Sequence, residues 1–155
     1  MKRLILAAVL VAITAMSVAG TARAQVSHFG LGVIVGEPTG VDAKWFLAEG
    51  NAIEGALAWS LSNDNNLHIQ VDYLYHQYDW IKPTKGRIPV FFGLGGRVEF
   101  RENADDLWGL RIPVGIAYEF ADAPFDLFGE IVPLLELFPD TDFTLEGAIG
   151  ARFWF

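Results

Sequence analysis

Leu107-Trp108-Gly109-Leu110-Arg111-Ile112-Pro113-Val114-Gly115-Ile116-Ala117-Tyr118-Glu119-Phe120 changes character at every second residue. Trp108, Leu110, Ile112, Val114, Ile116, Tyr118 and Phe120 form one set. Gly109, Arg111, Pro113, Gly115, Ala117 and Glu119 form the other. Successive side chains of a strand point to opposite faces, so period-two alternation of this length predicts one long strand over residues 107–120. One face is wholly apolar and the other mixes small residues with charges.

The same alternation extends in both directions. Towards the N-terminus it predicts strands over residues 28–36, 41–47, 52–61, 67–78 and 88–100; towards the C-terminus, over 125–137 and 143–155. Pro133 interrupts the seventh and predicts a bulge there. Turn residues separate the segments: Glu37-Pro38-Thr39-Gly40, Ala48-Glu49-Gly50-Asn51 and Ala121-Asp122-Ala123-Pro124. Eight strands joined in order by mostly short connections predict an all-β, antiparallel up-and-down barrel, closed because an open sheet this apolar would expose its edges.

The N-terminus sets the compartment. Lys2 and Arg3 precede an apolar run, and Ala22-Arg23-Ala24 supplies a small-residue cleavage pattern. Residues 1–24 are read as a secretory signal peptide, with 25–155 as one mature domain. Cleavage there removes three of the 11 basic residues and none of the 19 acidic ones, taking the formal charge from −8 to −11. That balance disfavours nucleic acid as a partner. The absence of Cys excludes a lipoprotein anchor, disulfides and thiolate metal sites. No stretch of the mature chain approaches the ~20 apolar residues of a membrane helix.

Which face is outside decides between a soluble and a membrane barrel. The apolar face of the predicted strands carries no charge, and many of its aromatics fall near strand ends: Trp45, Trp59, Tyr75, Phe100, Trp108, Tyr118, Phe143 and Phe155. Interfacial girdles of a membrane barrel have that character. The other face, with Gly30, Gly32, Ala56, Gly93, Gly95 and Gly115 between charges, suits the crowded lumen of an eight-stranded barrel. A transmembrane barrel is the reading taken; a soluble exported barrel holding an apolar ligand is the alternative.

The chain closes on Phe153 and Phe155 in phase. A terminal Phe after alternating apolar residues resembles the assembly signal of bacterial outer-membrane barrels. The mature chain resembles the small eight-stranded barrels of OmpA and OmpX type. Gly36-Glu37-Pro38-Thr39-Gly40, residues 91–97, Phe120-Ala121-Asp122-Ala123-Pro124 and Pro139-Asp140-Thr141-Asp142-Phe143 look like one branch of such exported bacterial proteins. The resemblance implies a monomeric barrel in the outer membrane of a Gram-negative envelope, with membrane lipid and the barrel-assembly machinery as partners. It implies no activity. The loops are shorter than in OmpX-type proteins, which argues against a loop-mediated adhesive role.

The candidate site is the set of inward charges. Asp42, Glu54, Asp72, Glu99, Glu119, Glu130 and Glu146 share the inner face with Lys44, Arg97, Arg111 and Arg152. Isolated charges in a narrow lumen are costly, so an internal network plugging the barrel is expected. A proton or ion pathway is the competing reading, and an eight-stranded barrel leaves no open channel for it. His68, Asp72 and His76 share a face of the fourth strand, but the four-residue step from each to the next spans about 13 Å, too great a length for one metal ion. No metal or other cofactor is expected. A lipid-acting hydrolase or acyltransferase would use a Ser and a His with an acid; Ser60 and His68, with Glu54 or Asp72, are the candidates. No motif supports them, and the expectation is a non-enzymatic protein.

Overall fold

The computed structural model describes residues 28–37, 39–59, 66–101 and 105–155. The proposed signal peptide, Ser60 and part of the third connection lie outside them.

Nine hydrogen-bonded segments form a single antiparallel sheet: β1 (Phe29–Gly36), β2 (Thr39–Ala48), β3 (Asn51–Trp59), β4 (Leu67–Gln77), β5 (Val90–Phe100), β6 (Leu107–Arg111), β7 (Val114–Glu119), β8 (Phe125–Phe138) and β9 (Asp142–Trp154). β1 to β5 pair in sequence order, β8 pairs with β9, and β1 pairs with β9, from Gly30↔Trp154 to Gly36↔Ala148. The sheet therefore closes on itself. β6 and β7 occupy one place in the ring, each between β5 and β8, so the barrel has eight staves.

The predicted sixth strand is thus broken at Ile112-Pro113, and the reason is local. The register against β8 is the same on both sides of the break, Arg111↔Leu134 before it and Val114↔Ile131 after it. The strand runs straight through; its ladder does not. Proline has no N–H to donate. Pro113 accepts from Gly93 N at 2.9 Å and Pro133 accepts from Ile112 N at 3.0 Å, but neither can return a bond. The bulge expected at Pro133 is absent. β8 runs through Pro133↔Leu145 in unbroken register against β9, and the irregularity lies near the end of β8, where Trp108 pairs with Phe138 and Gly109 with Glu136.

Alternation sorts the two faces. Trp108, Ile112 and Ile116 are 55 %, 46 % and 44 % exposed, whereas Arg97 and Arg111 are 4 % and 0 % exposed. The apolar set faces outward along every stave, and none of the outward strand positions among the described residues carries a charge. Outward aromatics gather at both rims. Phe29, Trp45, Tyr75, Phe120 and Phe155 lie at the end that holds the termini; Phe100, Trp108 and Phe143 lie at the other.

Candidate functional site: the charged lumen

Cross-strand register brings the inward charges together in two groups. The first centres on Arg152 of β9. Its guanidinium pairs with Asp42 of β2, with Glu54 of β3 at 2.6 Å and with Asp126 of β8 at 3.7 Å. Lys44 joins through Glu54 at 3.1 Å. Glu54 lies directly opposite Lys44 on the neighbouring strand, and Asp126 directly opposite Arg152, so both contacts are ordinary sheet neighbours. Arg152 also stacks 3.7 Å over the Phe128 ring, and the Lys44 ammonium lies 4.7 Å over Phe91.

The second group centres on Arg111 and Arg97. Arg111 Nε donates to both oxygens of Asp72 at 3.2 Å. Its terminal nitrogens approach Glu146 at 3.4 Å and Glu130 at 3.6 Å. Glu146 also accepts from Arg97, which reaches Glu99 at 3.5 Å and Glu136 at 3.9 Å. His68 Nδ1 lies 3.7 Å from Glu99, and Asn66 and Arg101 donate to that carboxylate at 2.7 and 3.0 Å.

Inward glycines make these pairings possible. Asp42 and Arg152 are both register partners of Gly32, and their side chains meet across it. Asp72 and Arg111 meet across Gly95 in the same way, as do Arg97 and Glu136 across Gly109. A Cβ on Gly32 would meet Asp42 Oδ1 at 2.5 Å and Arg152 Cγ at 2.6 Å. A Cβ on Gly95 would run into the Asp72 carboxylate. The stave between each pair carries no side chain, and the vacated space holds the ion pair. Outward Gly96 and Gly147, by contrast, have no neighbour closer than 3.8 Å to such a Cβ.

Glu119 stands apart from both groups. It closes the mouth at the terminus end, where its carboxylate meets Arg87 at 2.6 Å and accepts from Tyr78 Oη at 3.0 Å. Burial, with Glu119 beside it, pushes the Tyr78 phenol above its ordinary range, so Tyr78 stays the donor. Asp126 and Glu136 were not among the expected lumen charges; both share the parity of Glu130 on β8, which places all three inward. Large apolar side chains share the lumen. Ile34, Leu74, Phe91 and Phe128 are buried in one cluster with Ala56, Ala117 and Ala148.

The remaining candidates separate. His68 faces Glu99, Asp72 holds Arg111, and His76 packs against Phe46 and Phe91 with Nδ1 3.2 Å from the Gly50 carbonyl oxygen. Three residues of one strand thus serve three neighbourhoods. Glu54 and Asp72, the acids considered for a catalytic triad, are both committed to arginines.

A closed antiparallel ring of eight staves, apolar outside and charged within, is the architecture of the small OmpA-like β-barrels. Among solved structures, the chain is similar to the N-terminal β-barrel domain of Pseudomonas aeruginosa OprF, with a TM-score of 0.62 and 15 % identity over 82 % of this chain and 96 % of that one. At that identity the likeness is one of fold. No protein-family model and no curated protein matches the sequence.

Proposed function

We propose that this protein is an integral outer-membrane β-barrel with a structural or interaction role in the envelope, its lumen plugged by the two ion-pair groups. The observation that carries this reading is the division of the staves. Their outward faces bear no charge among the described residues, while four basic side chains, Lys44, Arg97, Arg111 and Arg152, are buried inside. In water that division would be inverted. In a bilayer it is the stable one, because lipid tolerates apolar side chains and the closed ladder leaves no backbone edge unsatisfied. The staves of 8 to 14 residues, with β6 and β7 taken as one, suit the ~9–11 residues a tilted membrane strand needs.

The charged interior argues against a soluble barrel with an apolar ligand in its lumen. It also supports a non-enzymatic role, since the lumen carboxylates serve arginines. Export through cleavage after Ala24, recognition of Phe153 and Phe155 by the assembly machinery, and a monomeric state belong to the same reading. Fractionation followed by electrophoresis with and without boiling tests it. The expected result is an outer-membrane band whose mobility shifts on heating. Recovery in the soluble periplasmic fraction, with no shift, rejects it. An altered lipid profile that disappears in a Ser60→Ala strain would instead support the lipid-acting enzyme.

A further inference from the structure

The exposed cations of the barrel are distributed unevenly. Lys44, Arg97, Arg111 and Arg152 are buried, and Arg101 lies at the rim away from the termini with its side chain 29 % exposed. The other three described cations, Lys82, Lys85 and Arg87, are 66–75 % exposed and occupy the single connection between β4 and β5. That connection also carries Trp80, 63 % exposed, and Ile81, 37 % exposed. The opposite rim presents Asp105, Asp106, Asp140 and Asp142 to solvent.

The connection is fixed against the outer surface. Tyr118, an outward residue of β7, donates its hydroxyl to the Lys85 carbonyl at 3.3 Å and packs edge-on against Phe120 at 4.8 Å. Gly86, at φ +72°, lies so close to β7 that a Cβ would meet the Glu119 carbonyl at 2.5 Å and Tyr118 Oη at 3.2 Å. Arg87 and Glu119 exchange both backbone hydrogen bonds, at 3.0 and 2.9 Å. Lys85 is therefore held level with the aromatic rim of the staves. Lys82 and Lys85 meet Asp79 at 3.4 Å and Asp122 at 2.6 Å, but exposed pairs of this kind contribute little net stability, and an ammonium has three donors. A phosphate can share them.

From these placements we infer that the 79–87 connection is a headgroup site for anionic phospholipid, with Lys82 and Lys85 as its phosphate ligands and Trp80 and Ile81 as its interfacial anchor. Exposed Trp beside Lys at the edge of an apolar belt is the combination that binds a charged membrane surface. The inference rests on the membrane reading above.

Native mass spectrometry of the folded, detergent-solubilised barrel tests it, with phosphatidylglycerol, phosphatidylcholine and inorganic phosphate as probes. The wild type is expected to retain phosphatidylglycerol at roughly tenfold lower lipid concentration than phosphatidylcholine. The Lys82→Gln/Lys85→Gln double variant should lose that preference, and Lys82→Arg/Lys85→Arg should keep it. Equal retention of the two lipids by the wild type, or an unchanged preference in the glutamine variant, overturns the site. Displacement of the lipid by millimolar inorganic phosphate overturns the assignment to a lipid. A barrel that shows the heat shift but no lipid preference fails this inference alone; one that never enters a membrane fails the membrane reading with it.

Discussion

Asp42 and Arg152, 110 residues apart in sequence, form a buried ion pair over Gly32, the residue that separates them on the intervening strand. Asp72 and Arg111 repeat the relationship over Gly95 on the other side of the ring. At both places the stave between the partners contributes nothing but backbone, and the ion pair occupies the space that a side chain there would fill.

Filling that space should break the arrangement. Gly32→Ala and Gly95→Ala are each expected to destabilise the folded barrel by about 1–3 kcal/mol, as overpacking does. Gly96→Ala, whose Cβ would find its nearest neighbour, the Gly109 carbonyl, at 3.8 Å, should be neutral within about 0.5 kcal/mol. Urea unfolding in detergent or lipid measures all three, and equal midpoints for the inward and outward variants would contradict the packing described.

Arg152 serves three carboxylates, so removing it leaves several buried charges uncompensated. Arg152→Met is expected to cost about 3–5 kcal/mol. Neutralising the partners as well, with Asp42→Asn, Glu54→Gln and Asp126→Asn, should restore part of the loss. A single variant as stable as the wild type would show that the pairings carry no energetic weight.

Leu94, 55 % exposed and central in β5, tests the solvent of the outer face. Leu94→Arg should cost roughly 2–4 kcal/mol if that face meets the bilayer interior. On a water-facing surface the same change would stay within about 0.5 kcal/mol. Refolding yield into lipid vesicles separates the two outcomes.

Phe155 donates its backbone N–H to Phe29 at 3.0 Å and packs 4.9 Å from Phe153, so it contributes little that other closure bonds between β1 and β9 do not supply. Deleting it should leave refolding in detergent nearly intact while lowering the amount assembled in the outer membrane of cells. Equal loss in both assays would assign Phe155 to barrel stability rather than to assembly.

Strand number, alternation and the direction of each face were legible along the chain because side chains of a strand switch sides at every residue. Parity alone put Arg97 and Arg111 on one face and Trp108 and Ile116 on the other. The ladder break at Ile112-Pro113 was less legible. Pro113 appears within a strong strand pattern, but which hydrogen bonds are lost depends on which neighbours its carbonyl and missing N–H face. Asp126 sits just after a turn in the least regular segment, where parity was hardest to read.

Alternation in the chain by itself separated a greasy face from a charged one, because that division depends only on residue order; the rim aromatics of the first and the small residues of the second gave it direction. Partnership was decided by the closed sheet. Whether Arg152 meets Asp42, and Arg111 meets Asp72, depends on the stagger between staves and on a glycine falling at the rung between them. Those relations join residues dozens of positions apart, and no local pattern encodes them.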